Sequence, residues 1–293
     1  MIALEKYHPT VLFLYYLLII SITVFYLHPF LLLFSFIASV LLYSRMTTLK
    51  EWIKDLTFYF VLFVLITLTN PLFVHKGETI LFFLNGKPVT LEAIFYGMAI
   101  ATMFLSIIFW SKIYSYLMTT DKVLYLFGTI FPKLALLLSM AFRFIPLFTQ
   151  QVKRVHVTQK TLGFYTSDSL TDRLLNSFRV FMSVLRWSLE HAIEQADSMK
   201  ARGYGLKGRT NYSNFSYSFK DYFGIALLFI MSLLLIYGTV KGAFYYFYYP
   251  RIYPLDQVMK EGMYWLVIVV LTIYPFAIEI KESLHWNYLK SKI

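Results

Sequence analysis

Apolar runs separated by short polar breaks recur along the chain, and six of them approach the ~20 mostly apolar residues that a membrane-spanning helix needs. They run from Thr10 to Leu27, Phe30 to Tyr43, Leu56 to Thr69, Leu91 to Met118, Tyr222 to Phe244 and Gly262 to Ile278. The second and third are short for a span. His28 and Pro29 leave almost no loop between the first two, which predicts a tight hairpin broken at the proline. The first run follows a barely charged segment and is not followed by a small-residue cleavage signal, so it reads as a retained span.

Between the fourth and fifth runs the pattern changes. Residues 119–219 form a charged segment too long for a loop without structure. Its first half, 132-PKLALLLSMAFRFIPLFTQQVKRVHVTQKTLG-163, opens with proline and closes with glycine, as a helix does. The apolar part, Leu134 to Phe148, contains Arg143 and Pro146 and reads as too short to span, lying in or just under the membrane interface. The second half, 169-SLTDRLLNSFRVFMSVLRWSLEHAIEQADSMKARG-203, offers Ser169 as an N-cap with Asp172 at capping-box spacing. Leu174, Phe178, Phe181, Leu185, Leu189, Ala192, Ala196 and Met199 recur at three-and-four spacing. That predicts one amphipathic helix of roughly 50 Å.

The composition agrees with a membrane protein: of 293 residues 58% are hydrophobic and 20% aromatic, and the mean hydropathy is +0.61. A formal charge of +11 is then read by its position, not as a nucleic-acid signal. With the amino end inside, 22 of the 27 Lys and Arg fall on the inner side and 5 on the outer. Both termini are therefore expected in the cytoplasm of a multi-pass cell-membrane protein. The fold class expected is all-α, about six transmembrane helices plus two long cytoplasmic helices. The division expected is 1–118 for spans one to four, 119–219 for the charged region and 220–293 for spans five and six. The tyrosine-rich stretch 243-AFYYFYYPRIYP-254 reads as an interfacial aromatic belt.

Several chemistries are disfavoured. There is no cysteine, hence no disulfide or thiolate centre. The six histidines show no paired metal-ligand spacing, so no metal or other cofactor is expected. Residues 203-GYGLKGRT-210 match phosphate-loop spacing except that Arg209 stands for the lysine, and they follow a helix where such a loop follows a strand. Glu190, His191 and Glu194 are the only candidates for a membrane enzyme's acid–base set, and helix-face pairing explains them more simply. A self-sufficient secondary transporter would show internal repeats and broken midplane helices, and neither is visible.

Residues 70-NPLFVHKGETILFFLNGKPVTLEAIFYG-97, 139-SMAFRFIPLF-148 and 196-ADSMKARGYG-205 carry a resemblance. In this order and at these spacings the chain resembles the transmembrane T component, EcfT or CbiQ type, of energy-coupling-factor transporters. The resemblance implies a non-catalytic scaffold that couples two ABC-type ATPase subunits to a small membrane-embedded substrate-binding S component, for vitamin or transition-metal uptake. It implies that the two long helices are coupling helices, each ending in an Ala-Arg-Gly-like motif docked on one ATPase. Ala201, Arg202 and Gly203 match that motif residue by residue.

The first motif falls at Thr161, Leu162 and Gly163, where only the glycine matches. Either that ATPase pocket is apolar, or Lys160 or Arg154 supplies the charge, or the two contacts differ in strength. The resemblance also implies an apolar surface for the S component, for which Met140, Phe142, Phe144, Phe178, Phe181 and Met182 are candidates. Ordinary helix packing accounts for the same six residues.

Overall fold

The computed structural model describes residues 3–84, 86–164, 169–206, 215–253 and 262–290. Within them the chain is all-α but for one hairpin: α1 Pro9–Phe25, α2 Pro29–Met46, α3 Leu49–Phe73, β1 Ile80–Leu84, β2 Lys87–Thr90, α4 Leu91–Leu117, α5 Thr120–Ile130, α6 Pro132–Thr161, α7 Leu170–Ala201, α8 Phe219–Val240 and α9 Gly262–Lys290. Among the described residues six helices, α2, α3, α4, α6, α8 and α9, are long and apolar enough to cross a membrane. With 17 residues, α1 is shorter. The protein is a multi-pass membrane protein.

The helix bounds depart from the apolar runs where capping outweighs hydropathy. The Thr48 hydroxyl accepts the Glu51 N–H at 3.5 Å and starts α3 a full turn and more before Leu56. Its first turns carry Lys50, Glu51, Lys54 and Asp55, so the apolar run alone understates it. At the other end α3 continues past Thr69 through Pro71 to Phe73. α6 likewise runs unbroken through Pro146 for 30 residues. It is thus long and apolar enough to span, where the run Leu134 to Phe148 was expected to be too short. α8 stops at Val240, and Gly242 takes a φ of +80° in the turn that follows.

The chain separates into two compact units. One is Met1–Lys122 with Phe215–Ile293, and the other is Val123–Asn214. The centre of the first is α4, whose Trp110, Phe109 and Ile113 are fully buried with Tyr16 and Ile19 of α1 and Leu31, Leu32 and Leu42 of α2. In hydrocarbon every polar group must be satisfied inside the protein. The Trp110 indole accordingly donates to Ser35 Oγ at 3.0 Å, and Ser35 shares a bond with the Thr23 hydroxyl at 3.1 Å. Lys112 pairs with Asp55 at 2.5 Å beneath the Tyr43 and Tyr59 rings.

Small residues on α4 recur every four positions at Ala93, Gly97 and Ala101, letting α3 approach closely. A Cβ on Gly97 would stand 2.7 Å from the Thr67 carbonyl oxygen. Gly97→Ala is therefore expected to lower the thermal transition of the detergent-solubilised protein, by about 1–3 kcal/mol of overpacking. Gly128→Ala, whose Cβ meets only Ala135 at an ordinary 3.6 Å, is expected to leave it unchanged or raised, alanine being the better helix former. Equal transitions for the two variants would contradict the close approach.

The two ends of the chain share one face of this unit. There Lys6 pairs with Glu282 at 2.6 Å. Asp221 accepts the His8 N–H at 2.9 Å while completing a reciprocal capping box with Ser218 at the start of α8. On the opposite face β1 and β2 pair antiparallel around Gly86, which has a φ of +79°. This hairpin was not expected. Thr90 Oγ1 donates to the Lys76 carbonyl at 2.8 Å, and Glu92 Oε1 accepts the Thr79 N–H at 3.1 Å. Arg251 pairs with Glu78, joining the hairpin to the aromatic stretch.

That stretch is only partly a belt. Tyr245 and Phe247 are exposed, but Phe244 and Tyr248 are buried and the Tyr248 hydroxyl donates to the Leu27 carbonyl at 2.8 Å. His28 is wholly buried among the rings of Phe30, Tyr246 and Trp265, and burial pushes its imidazole down to about 4.

Candidate functional site

In the second unit α6 and α7 run antiparallel. Phe144 meets His191 edge-on at 6.0 Å, and Phe148 meets Trp187 edge-on at 5.8 Å. Toward the end of α6 the Asn176 amide donates to the Phe164 carbonyl at 2.7 Å, and the Arg179 guanidinium lies 5.0 Å from the Phe164 ring. The C-terminal tip of α6 therefore sits beside the start of α7. The tip of α7 projects past the aromatic crossing in the other direction. Each tip is about 14 or 15 residues from the crossing, roughly 20 Å of helix, so the tips are at most ~40 Å apart.

Ser169 occupies the N-cap of α7 with extended backbone, but its side chain makes no capping bond. Its hydroxyl instead shares a 2.8 Å bond with Thr171. The serine half of the expected capping box with Asp172 is thus not formed.

The two tips are built alike. At the end of α6 the Gly163 N–H donates to the Lys160 carbonyl at 3.1 Å and the Phe164 N–H to the Gln159 carbonyl at 3.2 Å. At the end of α7 the Gly203 N–H donates to the Lys200 carbonyl at 2.9 Å and the Tyr204 N–H to the Met199 carbonyl at 3.0 Å. Both are Schellman ends, closed by a glycine in the left-handed region, with φ of +79° at Gly163 and +85° at Gly203. Leu162 (φ −78°, ψ 1°) and Arg202 (φ −83°, ψ 6°) hold the same cap position.

The ends therefore align position by position: Lys160 with Lys200, Thr161 with Ala201, Leu162 with Arg202, Gly163 with Gly203, and Phe164 with Tyr204. Leu162 is 67% exposed, and the two aromatics 45% and 46%. Phe164, Tyr204 and Lys200 escaped the sequence reading. Their signal is the repeated pattern Lys-x-x-Gly-aromatic at 160–164 and 200–204.

Much of the apolar stripe read from the sequence of α7 is left exposed rather than buried against α6. Leu174, Phe178, Phe181 and Leu189 are exposed at 71%, 59%, 58% and 60%. The seam that packs on α6 is mixed in character: Asn176 and Val180 are buried, and Trp187 and His191 are half-buried and stacked at 5.2 Å. Of the six apolar candidates, Phe142, Phe178, Phe181 and Met182 are exposed and Met140 is half-buried. Phe144 belongs to the helix–helix contact through Phe148 and His191. His191 also lies 3.5 Å from Glu194 one turn on, an ordinary helix-face pair. Among the described residues no group of three or more His, Asp or Glu is disposed to hold a metal ion. Residues 207–210 of the phosphate-loop-like stretch lie outside the described residues.

The chain that carries this helix pair and the multi-helix membrane unit has counterparts among known sequences. The family model for CbiQ, described as a cobalt transport protein, matches residues 4–212. A protein of Listeria innocua named energy-coupling factor transporter transmembrane protein EcfT is 30% identical over 218 residues, covering 70% of this chain and 81% of that protein. The protein of the same name from Staphylococcus aureus is 24% identical over 239 residues, covering 75% and 87%. The Bacillus subtilis protein of that name is 30% identical over 107 residues, covering 36% and 40%. The chain belongs to the CbiQ/EcfT family, the transmembrane components of energy-coupling-factor transporters.

Proposed function

We propose that this chain is the energy-coupling scaffold of its transporter. It receives ATP-driven motion from two ABC-type ATPase subunits at the tips of α6 and α7 and passes it to a substrate-binding S component. The observation that carries this reading is the pair of equivalent Schellman ends, Thr161-Leu162-Gly163 and Ala201-Arg202-Gly203, held on opposite sides of one helix crossing. Two like tips separated by a packed helix pair suit two like partners. Motion of one partner against the other would shear the packed helices, a known class of switch. The chain itself performs no catalysis in this scheme. Residues 119–219 form the coupling region between the helices of 1–118 and 220–293, with both termini and the tips on the cytoplasmic side. The S component selects the cargo, a vitamin or a transition-metal ion.

The difference between the tips bears on how each docks. Lys160 does not replace Arg202, because Lys200 already occupies the matching place on the other tip. Arg154 lies eight residues before Leu162, about 12 Å back along the helix. The tip of α6 is thus read by shape and apolar contact, that of α7 by charge-assisted bonds to a planar guanidinium. Leu162→Ala is expected to weaken association with its ATPase by tenfold or so and to leave measurable uptake, since it removes about 1.5–3 kcal/mol of apolar burial at most. Loss of uptake as complete as that of a charge reversal at Arg202 would contradict unequal modes of docking.

The reading as a whole is tested by purifying the tagged chain in mild detergent and identifying what accompanies it. Two ABC ATPases and a small membrane protein are expected. A chain that purifies alone and transports unaided would overturn the proposal.

A further inference from the structure

In the first unit, the start of α8, the later turns of α9 and Tyr7 line an open cleft of about 1060 Å³. Its volume slightly exceeds the ~300–1,000 Å³ usual for small-ligand sites. Phe219, Phe223 and Ile278 line its apolar part. Lys220, Lys281 and His285 stand in the same wall, together with Glu282. Glu282 is held by Lys6 at 2.6 Å, so the cleft's own carboxylate is already engaged by a cation outside its lining. Phe219 and Phe223 are 87% and 59% exposed, and they belong to a helix apolar enough to span. The apolar wall is thus continuous with the surface that α8 presents to lipid, and the cations lie where that helix begins.

We infer that this cleft binds one anionic phospholipid, its phosphate between Lys220 and Lys281 and its acyl chains along Phe219, Phe223 and Ile278. Basic side chains where spanning helices leave the membrane attract anionic headgroups. The long lysine stems keep the charge at the surface while lying along apolar neighbours. A free anion would use the lysines but leave the aromatic wall open to water. A zwitterionic lipid would fill the wall but bring its own cation to the lysines. A lipid with net negative charge satisfies both parts, and its binding does not depend on the ATPase docking proposed above.

The test uses the full chain, delipidated in mild detergent and examined by native mass spectrometry with phosphatidylglycerol or phosphatidylcholine of identical acyl chains. A phosphatidylglycerol adduct favoured by fivefold or more is expected. The double variant Lys220→Ala with Lys281→Ala should lose most of that preference, each lysine near a membrane surface being worth about a fivefold change in affinity. Lys50→Ala with Lys54→Ala removes two cations from the start of α3 and should keep the preference. Equal binding of the two lipids would overturn the inference. So would an equal loss in both double variants, or displacement of the lipid by millimolar inorganic phosphate alone.

Discussion

Replacing Arg202 by glutamate is expected to abolish transport and to release one ATPase from the complex, while the membrane part remains folded. The side chain is exposed at the helix tip, and the helix end is closed by backbone bonds from Gly203 and Tyr204 that do not involve it. What the substitution removes therefore lies in the partner. A docked guanidinium makes charge-assisted bonds, and reversing its charge leaves the opposing groups unpaired or repelled. Truncating one member of such a buried pair costs about 2–5 kcal/mol, roughly 30- to several-thousand-fold in affinity. Arg202→Lys should fall between, because it keeps the charge and loses the planar fork. Association is read by co-purification and transport by uptake in vesicles. Unchanged uptake with Arg202→Glu would remove this tip from the site.

The second large effect is expected on the exposed stripe of α7. Phe178→Asp with Phe181→Asp places two charges where the proposed S-component surface needs apolar contact. The rings lie 6.5 Å apart and are both more than half exposed. The double variant should lose the small membrane partner and uptake, yet keep both ATPases and a normal thermal transition. That combination separates docking from packing. If these rings served only the helix pair, the transition would fall and the ATPases would be lost together with the small partner.

Helix boundaries were legible where cap chemistry is local. Pro132 opens α6, Gly163 and Gly203 close α6 and α7 in the left-handed region, and no tertiary information is needed for these. The start of α3 was hidden, because its first turns are charged and hydropathy reports burial in lipid, not helicity. The hairpin was hidden differently. Asn85-Gly86 is a strong hairpin signal, but Ile80 to Leu84 are apolar throughout and all exposed, so the alternation that marks a half-buried strand is missing.

Periodicity showed which residues of α7 form a stripe but not which way the stripe points. In water the apolar face would be buried against α6. Here the seam carries Asn176, satisfied by the Phe164 carbonyl, and His191, stacked on Trp187 and 3.5 Å from Glu194, and much of the apolar stripe is left exposed. At Ser169 the serine side chain makes no capping bond, while at Ser218, where no box was expected, Asp221 reaches back to complete one. The matched tips were half legible. Arg202 could be seen from its motif and Leu162 placed opposite it by position, whereas the equal φ and ψ and equal hydrogen bonds of the two ends are visible only in the structure.

The central claim, two tips for two ATPases, is tested most directly by site-specific cross-linking. The chain has no cysteine, so Thr161→Cys and Ala201→Cys each provide a single attachment point for a short photo-cross-linker in the assembled complex, with adducts identified by mass spectrometry. Both positions are exposed, one helical residue before the cap. The account predicts that each tip captures an ABC ATPase, and that the two captured sites lie on different ATPase subunits. Capture of lipid or of the small membrane protein at both positions, with no ATPase adduct at either, would contradict it.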